Sequence, residues 1–204
     1  MTGPRTPRRR FAAMLGAARR LSIPADPHPC ATRPPGARPP PLPTRLRVTP
    51  DFPTAPPLWP MTRVECRVRP LVSLGPGKHG ERRYVPLAGG RVAGPELNGE
   101  ILDGGVDWQV QRADGVLEIA AHYVLRLDDG ALVEVQSDGV RHAPPEVMAA
   151  LARGEPLPRE AYYFRTLMRF QTGAPAWQHL NRLLALAVGE RLADCVRLDV
   201  YRVG

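Results

Sequence analysis

Apolar and polar residues alternate along the chain from Met61 onward. In the first such segment, Val64, Cys66 and Val68 alternate with charged or polar neighbours. Successive side chains of a β-strand point to opposite faces, so a period of two indicates a strand with one buried face. The pattern recurs at short spacing as far as the last residues, which predicts a domain built from β-strands.

The longest alternating segment runs from Val116 to Leu127, and its odd-numbered residues share one apolar face. Asp128-Asp129-Gly130 follows and predicts a hairpin turn, with Ala131 to Gln136 as the partner strand. The other predicted strands cover residues 63–69, 83–87, 92–101, 106–112, 162–172, 182–191 and 194–203.

Glycine and proline mark the places where these strands bend or end. Gly89-Gly90, Gly94-Pro95 and Asp103-Gly104-Gly105 predict turns or bends. Pro144-Pro145 opens a short helix that ends before Gly154. Eight or more strands with almost no helix indicate a sandwich or a barrel. We favour a closed antiparallel β-barrel with one or two short helices, in which the first and last strands pair.

The first sixty residues have a different composition. They hold 16 of the 25 prolines and ten arginines against two acids, so the net charge of +8 belongs entirely to this segment. Proline blocks helix and sheet pairing, so residues 1–60 are predicted to be a disordered Pro/Arg-rich extension of a barrel domain over residues 61–204. Two alternatives are a start codon placed too far upstream, with Met61 as the true start, and a targeting peptide.

The sequence contains no motif for several common kinds of binding site. The three cysteines, Cys30, Cys66 and Cys195, form no CxxC pair, and no histidines or acids show metal-ligand spacing. Phosphate-binding and dinucleotide-binding fingerprints are also missing from the sequence. We therefore expect no metal, no cofactor and no disulfide, and a cytoplasmic protein. No run of 18 apolar residues predicts a transmembrane helix.

A set of short segments occurs in a characteristic order. They are DGGVDWQ (103–109), RADG (112–115), AHYVLR (121–126), DDGAL (128–132), YFRT (163–166), FQTG (170–173), LNR (180–182), GER (189–191) and VYRV (200–203). The ordered set resembles the uncharacterised family UPF0311, or domain of unknown function 3237, over about residues 62–204. The resemblance implies a small bacterial β-barrel protein and supplies no catalytic residues. Leu167-Met168 and the insertion-like segment from Pro145 to Arg159 depart from the family pattern.

Two predicted strands carry the first candidate site residues. Asp107 and Trp108 follow a Gly-Gly turn and would form a carboxylate and an aromatic wall at the rim of a barrel cavity, or else a turn cap and a core residue. Tyr163 and Arg165 share one face, where Arg165 would hold a ligand carboxylate or an exposed acidic partner. The opposite face, with Phe164 and Thr166, is the better core face.

Three further residues complete the candidate ligand site. Tyr123 would act as general acid beside Asp107 as general base, with Arg165 as the anion holder. Arg141 ends a strand beside the proline pair, and Asn181 would bond either a turn or a ligand carbonyl.

Three functions compete at this level. A barrel could bind a small, partly aromatic or carboxylated molecule as a cofactor-independent lyase or isomerase, since such chemistry needs only a dry pocket and proton-transfer groups. The same barrel could be a non-catalytic binder or carrier. A structural barrel with a basic anion-binding tail is the third, although the tail has too few aromatics for specific nucleic-acid recognition. The sequence is also compatible with a homo-oligomer.

Overall fold

The computed structural model describes residues 53–204, so most of the predicted extension over residues 1–60 lies outside the described residues. The strands are β1 (Leu58–Val68), β2 (Val72–Gly77), β3 (Gly80–Ala93), β4 (Gly99–Gln111), β5 (Leu117–Leu127), β6 (Leu132–His142), β7 (Tyr163–Gln171), β8 (Ala185–Arg191) and β9 (Cys195–Val203). Within residues 53–204 they are connected by one α-helix, α1 (Pro145–Ala152), and by two 3-10 helices, Arg159–Ala161 and Pro175–Arg182. No helix of the described residues is both long enough and apolar enough to span a membrane.

Eight of the strands form a closed antiparallel barrel. The ring runs β1-β9-β8-β7-β6-β5-β4-β3, and β1 closes it by pairing with both β9 and β3. The remaining strand, β2, pairs only with β3. The prediction of a closed antiparallel barrel with a paired first and last strand is confirmed. β1 begins at Leu58, so its first three residues precede Met61.

The two-residue alternation sorts side chains between the barrel interior and the solvent. On β5, Leu117, Tyr123 and Leu127 are buried, whereas His122 lies outside, with Nε2 at 2.6 Å from Glu134 Oε1 on β6. On β7 the buried face contains Phe164 and Met168. The barrel interior therefore contains the apolar core, as the alternation predicts.

Two predicted turns lie within continuous strands. Gly89-Gly90 belongs to β3, and Asp103-Gly104-Gly105 belongs to β4, where the register with β5 shifts between Ile101 and Val106. Gly104 has a φ of 103°, which lets the strand bulge without ending. Bulges increase local twist, so these glycines bend the strands around the barrel. β2 lacked a sequence signal because it contains Gly75, Pro76 and Gly77.

Gly189 marks a position where two strands approach too closely for a side chain. A Cβ at this position of β8 would overlap the ring of Phe164 on β7. Phe164 is buried, with 4% of its surface exposed, so a methyl group at Gly189 would have to displace its ring within the interior. The shape of this part of the interior thus depends on glycine in β8.

We expect Gly189→Ala to destabilise the protein by about 1–3 kcal/mol, the usual range for an overpacked core. Gly173→Ala is the matched control, because nothing lies within 4 Å of the methyl group that it would add. Urea unfolding followed by circular dichroism measures both variants. Equal stability of the two would show that the Gly189–Phe164 contact does not constrain the barrel.

Candidate functional site

The barrel contains a cavity of about 670 Å³. All eight ring strands contribute residues to its lining, and so do α1 and the loops that follow β1 and β8. Neighbouring strands alternate in direction, so β1, β6 and β8 all end at the same rim, where α1 and these loops lie. The volume lies within the range of small-molecule sites, about 300–1,000 Å³.

The polar part of the lining begins on β4. Asp107, Gln109 and Gln111 are two residues apart and all line the cavity, while Trp108 between them is 37% exposed. Gln111 is nearest the rim and Asp107 lies about 13 Å further along the strand, at about 3.3 Å per residue. The alternation of β4 therefore carries amide and carboxyl groups into the interior of the barrel.

One oxygen of the Asp107 carboxyl is bonded and the other is not. Gln109 Nε2 donates to Asp107 Oδ2 at 2.6 Å. Oδ1 is buried without a hydrogen-bond partner among residues 53–204. Burial raises the pKa of Asp107 to about 6, against the opposing effects of the Gln109 hydrogen bond and the charge of Arg141. The carboxyl is thus poised to take up and release a proton near neutral pH.

Arg141 of β6 is a partly buried cation with no acidic partner among residues 53–204. Its Cζ lies 5.6 Å from the ring centroid of Phe164, and its Nε has no hydrogen-bond partner in the described part of the chain. No carboxylate there comes within 4.0 Å of its guanidinium. Burial, followed by the charge of Arg191, lowers the pKa of Arg141 to about 10, so the group stays charged at neutral pH. An unpaired buried charge is costly, and an anion beside it would relieve that cost.

Two more arginines line the same cavity. Arg83 of β3 donates from Nε to Gln109 Oε1 at 3.2 Å, and Arg191 of β8 donates from Nη1 to the carbonyl of Cys195 at 3.2 Å. Burial is the main cause that lowers the pKa of each guanidinium. Four guanidiniums and two carboxyls belong to the lining when Arg69 and Asp194 at the rim are counted. Arg69 pairs with Asp103 and Arg83 lies 3.7 Å from Glu81, whereas Arg141 and Arg191 form no ion pair within the described residues. The cavity therefore favours an anionic occupant.

Tyr123 of β5 supplies a third unpartnered polar atom. Its hydroxyl is buried and forms no hydrogen bond within residues 53–204. Burial raises the pKa of Tyr123 above its usual range, so the hydroxyl stays protonated and can donate. Cys66 of β1 also lines the cavity, and burial raises the pKa of its thiol to about 12, which keeps it neutral. Asp107, Arg141 and Tyr123, each with one buried unpartnered polar atom, thus all belong to the residues that line a single cavity.

The other candidate residues from the sequence lie elsewhere. Trp108 faces outward against Tyr84 and Arg82, and Tyr163 is 44% exposed and stacks on His142. Arg165 lies over the Tyr163 ring and donates to the Phe164 carbonyl. Asn181 bonds the backbone of Thr172 through both its amide oxygen and its amide nitrogen. None of these four residues lines the cavity.

Sequence reasoning missed Gln109, Arg83 and Arg191. The period-two alternation that starts at Asp107 could have identified Gln109, because the two residues share a strand face. No such signal was available for the arginines. Arg83 follows Arg82, and only the strand register decides which of the two faces inward.

Comparisons with known proteins place this barrel among related proteins. The model of the protein family of unknown function DUF3237 matches residues 56–203. A UPF0311 protein from Rhodopseudomonas palustris is 39% identical over 140 residues, which cover 69% of this chain and 92% of the relative.

Three solved structures share the fold. A conserved protein of unknown function from R. palustris has a TM-score of 0.72 at 37% identity, covering 75% of this chain and 100% of the other. A beta-barrel like protein from Acinetobacter baumannii AYE has a TM-score of 0.66 at 34% identity, covering 76% and 99%. An enzyme from Penicillium herquei has a TM-score of 0.57 at 20% identity, covering 75% and 98%, a likeness that concerns the fold alone.

The raised pKa of Asp107 predicts how stability depends on pH. A carboxyl whose pKa is higher in the folded state binds more protons when folded, so stability falls as pH rises from about 4 to about 6 and stays lower above that range. Asp107→Asn removes the buried charge. At pH 8 we expect the variant to be more stable than the parent by about 2–3 kcal/mol, on the order of 1.4 kcal/mol per pKa unit.

Urea unfolding at pH 4 and at pH 8 measures this effect, and the two proteins should differ little at pH 4. Asp103→Asn is the control, because Asp103 is an exposed carboxyl paired with Arg69. An Asp107→Asn variant that is destabilised equally at both pH values would contradict the assigned environment of the carboxyl.

Proposed function

The chain belongs to the DUF3237 family, also named UPF0311, and we propose that its barrel binds a small carboxylated molecule and transfers a proton on it, as a cofactor-independent lyase or isomerase. The observation that carries the proposal is the combination of unpartnered atoms in one cavity. The Nε of Arg141, one carboxyl oxygen of Asp107 and the hydroxyl of Tyr123 are buried and lack hydrogen-bond partners within the described residues. A ligand that carries a carboxylate and an acidic C–H bond would satisfy all three.

Arg141 is the proposed anion holder. Its planar guanidinium matches a carboxylate in a two-pronged hydrogen bond, and Arg191 adds a second positive charge nearby. The apolar part of the ligand would lie against Phe164, Ile119 and the α1 residues Met148 and Leu151. This arrangement gives Arg141 the role that the sequence had assigned to Arg165.

Asp107 is the proposed general base. Ionised Oδ1 would take a proton from the carbon next to a ligand carbonyl, and the C–H electron pair would move onto the carbonyl oxygen as an enolate. Tyr123 would donate a hydrogen bond to that oxygen. Return of the proton from Asp107 to another carbon completes an isomerisation, whereas loss of a leaving group from the neighbouring carbon completes an elimination. Either reaction restores the ionised carboxylate of Asp107 once its proton has been released.

A non-catalytic carrier is the second candidate function. The cavity wall is largely apolar, with Val85, Leu87 and Leu198 in addition to the aromatic residues. Such a wall would retain an apolar ligand body whether or not chemistry follows. Proton exchange on a bound ligand would distinguish an enzyme from a carrier.

Ligand binding is tested by a thermal-shift screen of aromatic and aliphatic carboxylic acids, with the corresponding amides as neutral partners. A ligand at 100 times its dissociation constant adds about 2.7 kcal/mol of stability. We expect acids to stabilise the parent and Arg165→Met, and to have almost no effect on Arg141→Met. Arg165 is a matched control because it lies outside the cavity and pairs in register with Val140, the neighbour of Arg141. If no acid stabilises the parent, or if Arg141→Met responds equally, the anion site is wrong.

Catalysis is tested by hydrogen exchange into a keto acid that binds in that screen, because its C–H bond next to the ketone is acidic. The keto acid is dissolved in deuterated buffer and followed by NMR. The parent should exchange the acidic C–H, and the rate should rise with pH through about 6 as Asp107 ionises. Asp107→Asn should abolish the exchange, and Tyr123→Phe should slow it by about 10²-fold or more. Tight binding with no exchange in the parent would favour the carrier.

A further inference from the structure

We propose that Gln109 is a positioning residue, held by Arg83, that occupies one oxygen of Asp107 and leaves the other for the ligand. The inference rests on the proposed function of Asp107 as a base. It assigns a role to two residues, Gln109 and Arg83, that do not themselves contact the reacting atoms.

The geometry along β4 brings the amide to the carboxyl. Asp107 and Gln109 are two residues apart on the same strand face, and Gln109 is 6% exposed. Its Nε2 lies 2.6 Å from Asp107 Oδ2, a short hydrogen bond of the kind formed to a charged acceptor. Because Oδ1 has no partner in residues 53–204, the two oxygens of one carboxyl differ in their surroundings.

Arg83 determines which way round the Gln109 amide lies. A guanidinium has only donors, so the atom of Gln109 that faces Arg83 Nε at 3.2 Å must be the amide oxygen. The NH₂ group is then directed at Asp107. With the amide reversed, two donors would meet at Arg83 and two acceptors at Asp107. The order Arg83, Gln109, Asp107 therefore follows from the chemistry of the groups and does not depend on how an amide was assigned.

This arrangement has two consequences for Asp107. No group of residues 53–204 donates a hydrogen bond to Oδ1, so a proton taken from a ligand would bind at one defined oxygen. The hydrogen bond to Oδ2 also stabilises the ionised carboxylate. It therefore lowers the pKa of Asp107 against the rise that burial causes, which keeps the group ionisable near neutral pH. A carboxyl buried without that donor would titrate higher, so a smaller fraction of it would be ionised at pH 7.

Gln111 provides a matched control on the same strand face. Arg83 Nη2 also donates to Gln111 Oε1, at 3.4 Å, but Gln111 Nε2 is directed at the Val116 carbonyl. Gln111 thus shares the strand, the face and the arginine with Gln109, and has no contact with Asp107. The other titratable or charged groups of the lining are Cys66, Arg83, Tyr123, Arg141 and Arg191, with Arg69 and Asp194 at the rim. All of them are retained when either glutamine is replaced.

The test is a titration of the Asp107 side-chain carboxyl by carbon-13 NMR in the full chain, with the signal assigned through Asp107→Asn. Gln109→Met should move the titration midpoint upward by about one pH unit or more, the effect of losing a hydrogen bond to a charged group. Gln111→Met should leave the midpoint within about 0.3 unit, which is small against that shift. An unchanged midpoint in Gln109→Met overturns the proposal, and so does an equal shift in both variants.

A second variant covers the case in which Gln109→Met fails to fold. Gln109→Glu places two carboxyls at hydrogen-bond distance, and such a pair shares a proton, with one step raised well above the other. Two independent titrations near the usual carboxyl range would overturn the proposal.

The titration needs no ligand, so its outcome is separate from that of the proposed function. A shifted midpoint in a protein that binds no carboxylic acid would support the role of Gln109 and reject the function. An unshifted midpoint in a protein whose acid binding depends on Arg141 would do the reverse.

Discussion

Closure of the ring through β1 is the constraint on which everything else depends. β1 pairs with β9 along one edge and with β3 along the other, so every ring strand has two neighbours. Backbone hydrogen bonds then join each ring strand to a neighbour on both sides, the apolar core packs inside this wall, and part of the interior remains open as the cavity. Gly189 and the bulge at Gly104 show that the wall is shaped by close strand approach and local bending, and not only by apolar packing.

The candidate site follows from what this closed wall does to charge. Arg141 and Asp107 enter the interior because the period-two geometry of β6 and β4 directs them there, and burial then makes each charge costly. Their pKa values respond to each other, yet no ion pair joins them in the described residues. We infer that the gap between these two groups is the position a ligand occupies.

The fold was largely predictable from the sequence, and the site only partly. Alternation on β5 and β7 identified the buried faces, and the hairpin signal at Asp128-Asp129-Gly130 identified the β5–β6 pair. Glycine was ambiguous: Asp103-Gly104-Gly105 has the same signature for a turn as for a bulge, and only the register distinguishes them. The alternation of inward and outward residues along each strand could identify the candidate residues that line the cavity. The Arg83–Gln109 contact depends instead on the alignment of two strands, which the pattern of a single sequence does not specify.

The most direct measurement is a crystal structure of the full chain with a bound carboxylic acid identified by thermal shift. The account predicts the ligand carboxylate within hydrogen-bond distance of the Arg141 guanidinium, and a carbon of the ligand next to Asp107 Oδ1, with Gln109 still bonded to Oδ2. An acid bound on the outer surface near Arg165, or an interior acid that touches neither Arg141 nor Asp107, would contradict it.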